Sequence, residues 1–411
     1  MRSFRNFLVL SSTVMLAACG GDTSPQTVGS VAPPSGGTPT PTHSFVNPTE
    51  VKTYDGLGAV QHYQYTTASA EGAQSGQLYA GDSNTVRDSG ISITYNPRDA
   101  IFELTVSRPL AQVSVSAQRF QDPAHRTAFG GAAQPQPGVP NFDASRQIQY
   151  LQSGTATGSA LSPGNPFYTQ GYGAANSDYV VGADQFSSTV QTFFYQKPGT
   201  TTKYVTYAGY VRNSISAATE QNNSNLPAQL RESYSLDRAA FVFGERTGNS
   251  AVPTTGSGTY TGEMIATVVY NPLLDTDASA PSFLQWMQGT QSTTINFGSG
   301  AVTTTLDGTM LAPVRDAYTS GIGGLAAGTA FHAQGSATID LINKGGFTGQ
   351  FASACFATSC TAGNSLLIAG SSLDGAFFGP HGEEIGAGFR IVGGRPDERI
   401  DILGAFTGKK P

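Results

Sequence analysis

The stretch Tyr260-Thr261-Gly262-Glu263-Met264-Ile265-Ala266-Thr267-Val268-Val269-Tyr270 decides the fold. Tyr260, Gly262, Met264, Ala266, Val268 and Tyr270 share one parity and make a mostly apolar face, while Thr261, Glu263 and Thr267 fall on the other. Successive side chains of an extended chain point to opposite sides, so this period of two reads as a half-buried strand. The same alternation returns at Thr293, Ile295 and Phe297, at Ala337, Ile339 and Leu341, and across Phe347 and Phe351. Residues 373–378, 388–391 and 400–406 extend the series, and Gly, Pro and Asn clusters separate its members at hairpin spacing. About eight such strands close most naturally as an eight-stranded antiparallel β-barrel, because closure removes the exposed edges. The barrel domain is placed at 251–411.

Upstream, strands are expected at 90–95, 101–106, 193–196, 204–211 and 238–243, set among polar loops. Residues 45–250 therefore read as a second, looser β-rich domain, and the whole chain as all-β. The run 122–173, rich in Gly, Pro, Ala, Gln and Ser, reads as one extended loop of the kind that is usually functional or mobile. The helical period is almost absent, and the two short candidate helices lie at 226–232 and 281–288.

The first 18 residues have the parts of an export signal: Arg2 and Arg5, an apolar stretch interrupted by Ser11, Ser12 and Thr13, then small residues. That stretch is too short to span a bilayer of roughly 30 Å. Residues 20–44 hold Gly, Ser, Thr and Pro with Asp22 as the sole acid and no aromatic residue, so they cannot bury enough surface to fold. With Cys19 they make a tether, 19–44, whose root-mean-square span is roughly 25–30 Å.

Charged residues are 12% of the chain, half the usual globular share, so its polar surface must come from Ser, Thr, Asn and Gln. Removing Arg2 and Arg5 with the signal lowers Lys plus Arg from 22 to 20 against 28 Asp plus Glu, a net charge of −8. Nucleic acid is thereby disfavoured as a partner, since phosphate contact needs basic patches. After Cys19 only Cys355 and Cys360 remain. In an exported chain the pair reads most simply as a small disulfide loop, and a metal site or two free thiols are the alternatives.

Chemistry has few handles here. His43, His62, His125, His332 and His381 show no ligand spacing, so no metal site is encoded locally. His43 falls in the tether, His125 in a polar loop and His381 in a turn. The Gly-x-Ser-x-Gly, P-loop and His-Glu-x-x-His patterns are missing, and neither a nucleophile nor an acid–base pair stands out, which argues against an enzyme. Tyrosines cluster at Tyr54, Tyr63, Tyr65 and Tyr79 and again at Tyr168, Tyr172, Tyr179, Tyr195, Tyr204, Tyr207 and Tyr210. Two uses are open to them: a contact surface in loops, or packing along strands.

Two resemblances sharpen this picture. Leu16-Ala17-Ala18-Cys19-Gly20 resembles a bacterial lipobox, against the alternative of a plain secretory signal with a chance cysteine. The lipobox implies acylation of Cys19, and Gly20 in place of an aspartate implies sorting to the outer membrane. The second resemblance lies in Gly375-Ala376-Phe377-Phe378-Gly379-Pro380-His381-Gly382-Glu383-Glu384-Ile385-Gly386-Ala387-Gly388-Phe389, followed by Gly404-Ala405-Phe406-Thr407-Gly408-Lys409-Lys410. These resemble the final hairpins of the transferrin-binding protein B barrel family, with Phe377, Phe378, Gly379, Pro380, Glu384, Gly386 and Phe389 as the matching positions. The likeness continues upstream through 204–207, 240–244 and 253–262, covering about half the chain, and Gly386-Ala387 replaces the family's usual Gly-Gly. In physical terms Gly379-Pro380 turns the chain. Glu384 reads as a carboxylate accepting backbone N–H bonds within that turn.

The resemblance implies a handle-like domain beside the barrel and a lipid-anchored protein on the outer-membrane surface. Such a protein captures haem, an iron carrier or a similar solute for uptake and works beside a TonB-dependent outer-membrane transporter, with loops choosing the ligand. The alternative is a surface adhesin or host-factor-binding lipoprotein with no uptake role. The residues themselves assign no ligand-binding position and imply no cofactor.

Overall fold

The computed structural model describes residues 45–68, 74–85, 89–121, 138–157, 185–220, 229–271, 283–312, 325–395 and 398–411. The expected signal and tether, with Cys19 and His43, lie outside them, as do His125, Tyr168, Tyr172 and Tyr179. Among the described residues no helix is long and apolar enough to cross a membrane.

The chain is all-β. Strands β1 (Lys52–Asp55), β2 (Leu57–Ala68), β3 (Gln74–Gly81), β4 (Ile91–Asn96), β5 (Ile101–Arg108), β6 (Val113–Gln121), β7 (Ile148–Thr157), β8 (Gln185–Gln196), β9 (Val205–Glu220) and β10 (Gln229–Gly244) build two sheets. One has the order β1-β4-β5-β6 and the other β3-β2-β10-β9-β8-β7. Strands β11 (Ser257–Asn271), β12 (Phe283–Asn296), β13 (Ala301–Met310), β14 (Ala330–Asp340), β15 (Gly346–Cys355), β16 (Leu367–Phe378), β17 (Glu384–Gly394) and β18 (Arg399–Lys409) form a closed antiparallel barrel in sequence order, with β18 returning to β11.

The alternation of 260–270 is the inside and outside of that barrel. Tyr260, Met264, Ala266 and Val268 point into the lumen, where they meet Met287, Ile295, Leu306, Phe331, Phe347, Phe377, Phe389 and Phe406. The lumen is thus packed with side chains, as expected of a barrel this narrow. Strand β13, which the sequence reading missed, follows the same rule: Val302, Thr304, Leu306, Gly308 and Met310 are buried between more exposed neighbours.

The six-stranded sheet is covered on both faces. Val60, Phe193, Tyr195, Ala208, Tyr210, Ala239, Phe241 and Phe243 pack against Tyr54, Ile91, Ile93, Phe102, Leu104 and Val106 of the four-stranded sheet. From the opposite face Leu57, Phe194, Val205, Tyr207, Val211, Ala240 and Val242 pack on the outer wall of the barrel, against Ile265, Trp286, Ala376, Phe378 and Ala405. The order is therefore small sheet, large sheet, barrel.

Three expectations are corrected. The candidate helix at 281–288 is strand from Phe283 onward: Trp286 faces the large sheet and Met287 the lumen, so both sides are apolar and the period of two is hidden. The candidate helix at 226–232 enters β10 at Gln229. The supposed loop 122–173 contains a 3-10 turn at Ala144–Arg146 and strand β7, which pairs with β8 from Ile148↔Gln196 to Thr157↔Ser187.

One seam of the barrel is short. Strands β15 and β16 pair only at Phe347↔Gly375, Thr348↔Asp374 and Gly349↔Leu373. Further along, the Phe351 N–H donates to Ser371 Oγ at 2.9 Å, and the Leu366 N–H donates to the Ala354 carbonyl at 2.8 Å. The disulfide Cys355–Cys360, with Cα atoms 5.5 Å apart, ties off the loop at that end.

Candidate functional site

The residues of the Gly375–Phe389 motif divide by parity between two jobs. Phe377 and Phe389 enter the lumen, where Phe377 lies 5.8 Å from both Phe297 and Phe347 and Phe389 lies 5.7 Å from Phe351. Ala387, the departure from Gly-Gly, also points inward and is fully buried. Phe378, Glu384, Gly386 and Gly388 face the large sheet instead. The Arg246 guanidinium sits 5.5 Å over the Phe378 ring, and burial lowers its pKa to about 10. A Cβ on Gly386 would come within 2.9 Å of Val205 and Val242 side-chain carbons, and one on Gly388 within 2.4 Å of the Gly58 Cα. Here glycine is demanded by close approach: β17 lies directly on β2 and its neighbours.

Gly379 takes φ +89°, and a Cβ there would strike the Tyr204 ring at 2.7 Å. The turn is closed by Glu383, whose carboxylate accepts the His381 N–H at 2.9 Å. Glu384 does accept backbone N–H bonds, but not within its own turn. Its donors are Lys203 (2.6 Å), Tyr204 (2.8 Å) and Val205 (3.2 Å), at the start of β9 in the large sheet. Burial raises its pKa, and those three N–H bonds oppose the rise.

Polar contacts line the rest of the junction. Arg146, buried behind its 3-10 turn, donates to Tyr207 Oη (3.3 Å), the Met264 carbonyl (3.2 Å) and the Gly289 carbonyl (2.8 Å). Glu263 accepts from Tyr207 Oη at 3.0 Å and from Gln196 Nε2 at 2.7 Å. Burial pushes the Tyr207 phenol well above its ordinary range. Thr267, on the outward parity of β11, donates to Gln61 at 3.1 Å. Arg390 grips Asp401 through two bonds of 3.1 and 2.8 Å and reaches Asp82 at 2.9 Å. Ser83 donates to Asp374 at 3.2 Å, and burial raises that carboxyl.

The described histidines are spread apart. His62 Nδ1 lies 2.5 Å from Asp237, which also receives Arg212 at 3.1 Å; His332 Nδ1 lies 2.7 Å from Asp307; His381 is exposed in the β16–β17 turn. No group of three or more His, Cys, Asp or Glu among the described residues is placed to hold a metal ion. Tyr54, Tyr63, Tyr195, Tyr207 and Tyr210 are buried and take part in strand packing.

An aromatic cleft of about 180 Å³ opens at one end of the two-sheet body. Its lining falls into two ring groups: Phe45, Tyr54 and Phe243, with centroids 5.3 to 5.9 Å apart, and Tyr95, Phe102 and Tyr195, with Tyr95–Phe102 at 4.3 Å and Phe102–Tyr195 at 4.8 Å. Val46, Pro48, Lys197 and Pro198 complete it. Tyr54 hydrogen-bonds to Glu245, which pairs with Lys52; burial, then the Glu245 charge, raises the phenol pKa. Sequence inspection singled out Tyr54 and Tyr195 but not their partners. The rings come from five separated strands and from Phe45 ahead of β1, and meet only when the sheets stack, so no local spacing announces them.

These features define an all-β protein in which a solid eight-stranded barrel carries a two-sheet handle. No protein-family model matches the chain, and no curated protein matches it. Similar solved structures include a single-substitution variant of transferrin binding protein B from Haemophilus parasuis Hp5, at 12% identity and TM-score 0.30 over 86% of this chain and 76% of that one. Isotype 1 transferrin binding protein B from serogroup B Neisseria meningitidis follows at 13% identity and TM-score 0.23, over 89% of this chain and 77% of that one. HpuA from Kingella denitrificans, in complex with human haemoglobin, is similar at 12% identity and TM-score 0.16, over 66% of this chain and 90% of that one.

Proposed function

We propose that the chain is a lipid-anchored, non-catalytic binding protein of the outer membrane that captures haem, an iron carrier or a similar solute at the cell surface for uptake. The observation that carries this reading is the use made of the barrel motif. Of the seven positions resembling the transferrin-binding protein B family, Phe377 and Phe389 fill the lumen, while Phe378, Gly379, Glu384 and Gly386 meet the large sheet or the residues leading into it. The resemblance thus reaches the construction of the molecule and not a turn alone.

The packed lumen leaves the outer surfaces and loops to make contact with a ligand. Acylation at Cys19, the tether 19–44 and a TonB-dependent transporter as partner belong to the same proposal. Several acyl chains, each contributing about 0.8 kcal/mol per buried methylene, hold such a body on a membrane almost permanently.

Three measurements test it. Replacing Cys19 by Ser is expected to release the protein from the outer-membrane fraction, and protease added to intact cells is expected to cleave the wild type. Titration with haemin is expected to shift the Soret band, or an immobilised sample to retain an iron-bearing carrier. If neither haemin nor a carrier is bound, the uptake role falls and a surface adhesin or host-factor binder takes its place.

A further inference from the structure

We propose that the aromatic cleft of the handle is a binding site for a small aromatic carboxylate. The cleft measures about 180 Å³. An apolar cavity of about 150 Å³ is known to accept benzene, so this one suits a single substituted ring and excludes a tetrapyrrole. Six aromatic rings line the cleft, and a flat guest would gain from offset or edge-on contact with them.

Charge at the rim selects the substituent. Lys52 is neutralised by its ion pair with Glu245, and Tyr54 directs its hydroxyl to the same carboxylate. Lys197 differs: among the described residues no carboxylate lies within ion-pair distance of its ammonium. An aromatic cage also suits quaternary ammonium guests, but a second cation is disfavoured beside Lys197, an exposed lysine that lines the cleft. A carboxylate would complement it.

The position of Lys197 is built in. Its N–H donates to the Gln147 carbonyl at 3.3 Å, and its own carbonyl accepts the Thr200 N–H at 3.2 Å and the Thr200 hydroxyl at 2.7 Å. Gly199, at φ +91°, donates to the Thr202 carbonyl at 2.8 Å and lies so close to Val46 that a Cβ would stand 3.0 Å from its Cγ1. The turn bearing the lysine is thereby fixed by its own hydrogen bonds and lies close against Val46, beside Phe45.

The test uses the full chain in detergent and saturation-transfer NMR with three probes: benzoate, benzyl alcohol and tetramethylammonium. Benzoate is expected to give a saturable signal with a Kd of about 1 mM or tighter, as befits so small a ligand. Benzyl alcohol is expected to bind more weakly, and tetramethylammonium not at all. Lys197→Ala is expected to lower benzoate affinity by about three- to tenfold, with benzyl alcohol and the thermal midpoint unchanged. Val46→Trp, which fills the rim, is expected to weaken both ring ligands. The proposal is overturned by the absence of a saturable benzoate signal at about 10 mM, by preference for tetramethylammonium, or by benzoate binding indifferent to both substitutions. Capture of haem or an iron carrier does not enter this test, so the two readings succeed or fail separately.

Discussion

The Glu384 carboxylate accepts the backbone N–H of Tyr204 at 2.8 Å across 180 positions of sequence, and with Lys203 and Val205 on the same two oxygens it pins the start of β9 to the barrel. Glu384→Gln keeps one acceptor oxygen and turns an amide N–H₂ toward the remaining donors. The expected loss is about 2–4 kcal/mol, because hydrogen bonds to a charged group are strong and buried N–H groups are left unpaired. Urea unfolding measures it, and a loss below about 0.5 kcal/mol removes the clamp from the account.

Arg146 fills the junction from the other side. Arg146→Ala strips the Tyr207 hydroxyl, two barrel carbonyls and the flank of Glu263, which lies 3.7 Å from the guanidinium. A fall of about 2–4 kcal/mol is expected, since truncating one partner leaves buried polar groups without donors. Lys in the same place, with fewer donors in a different geometry, should recover less than half. Thermal melts of the two variants decide this.

Asp374 provides a pH signature. Burial first, opposed by bonds from Thr348 and Ser83, raises it above its ordinary 3.8. In the window between that value and the raised one, the folded chain holds a proton that the unfolded chain has released, so this group's contribution to stability falls as pH rises. Asp374→Asn removes that dependence. From pH 4 to pH 7 the stability of the variant should therefore improve relative to wild type; a change of the opposite sign in paired denaturation curves rejects the assignment.

The disulfide should matter locally. Closing the short loop Cys355–Cys360 stabilises by about 2 kcal/mol on chain-entropy grounds. It lies where β15 and β16 have parted company, so reduction is expected to raise amide exchange first at residues 355–372, with the β11–β12 pairing kept. Uniform exchange through the barrel after reduction contradicts that order.

The barrel was the more legible part; in the handle, β4, β5, β9 and the ends of β8 and β10 were expected, but β1, β2, β3, β6 and β7 were not. Strand β11 faces packed lumen on one side and carries Thr261, Glu263 and Thr267 on the other, so its period survives in the sequence. The strands of the large sheet have an apolar layer on each side, so a run such as Ala239-Ala240-Phe241-Val242-Phe243 shows no alternation and marks only the end of its 16-residue strand. Trp286 hid the first half of β12 in the same way, because the handle covers the outside of the barrel there. The bonding of Glu384 to backbone N–H groups was read correctly in kind, but its partners lie in a segment that only the tertiary fold brings near. The cleft escaped notice because Tyr54, Tyr95, Phe102, Tyr195 and Phe243 carry no mutual spacing.

Where Gly388 meets Gly58 there is no side chain on either partner to trim or repack. Any descendant of this protein that acquires a methyl at position 388 must push β17 away from β2, while one at position 58 strikes β10 within the large sheet itself. Diversification is consequently channelled into the free ends of the strands, and a hybrid joining this handle to a foreign barrel will hold only if the recipient offers the same bare crossing.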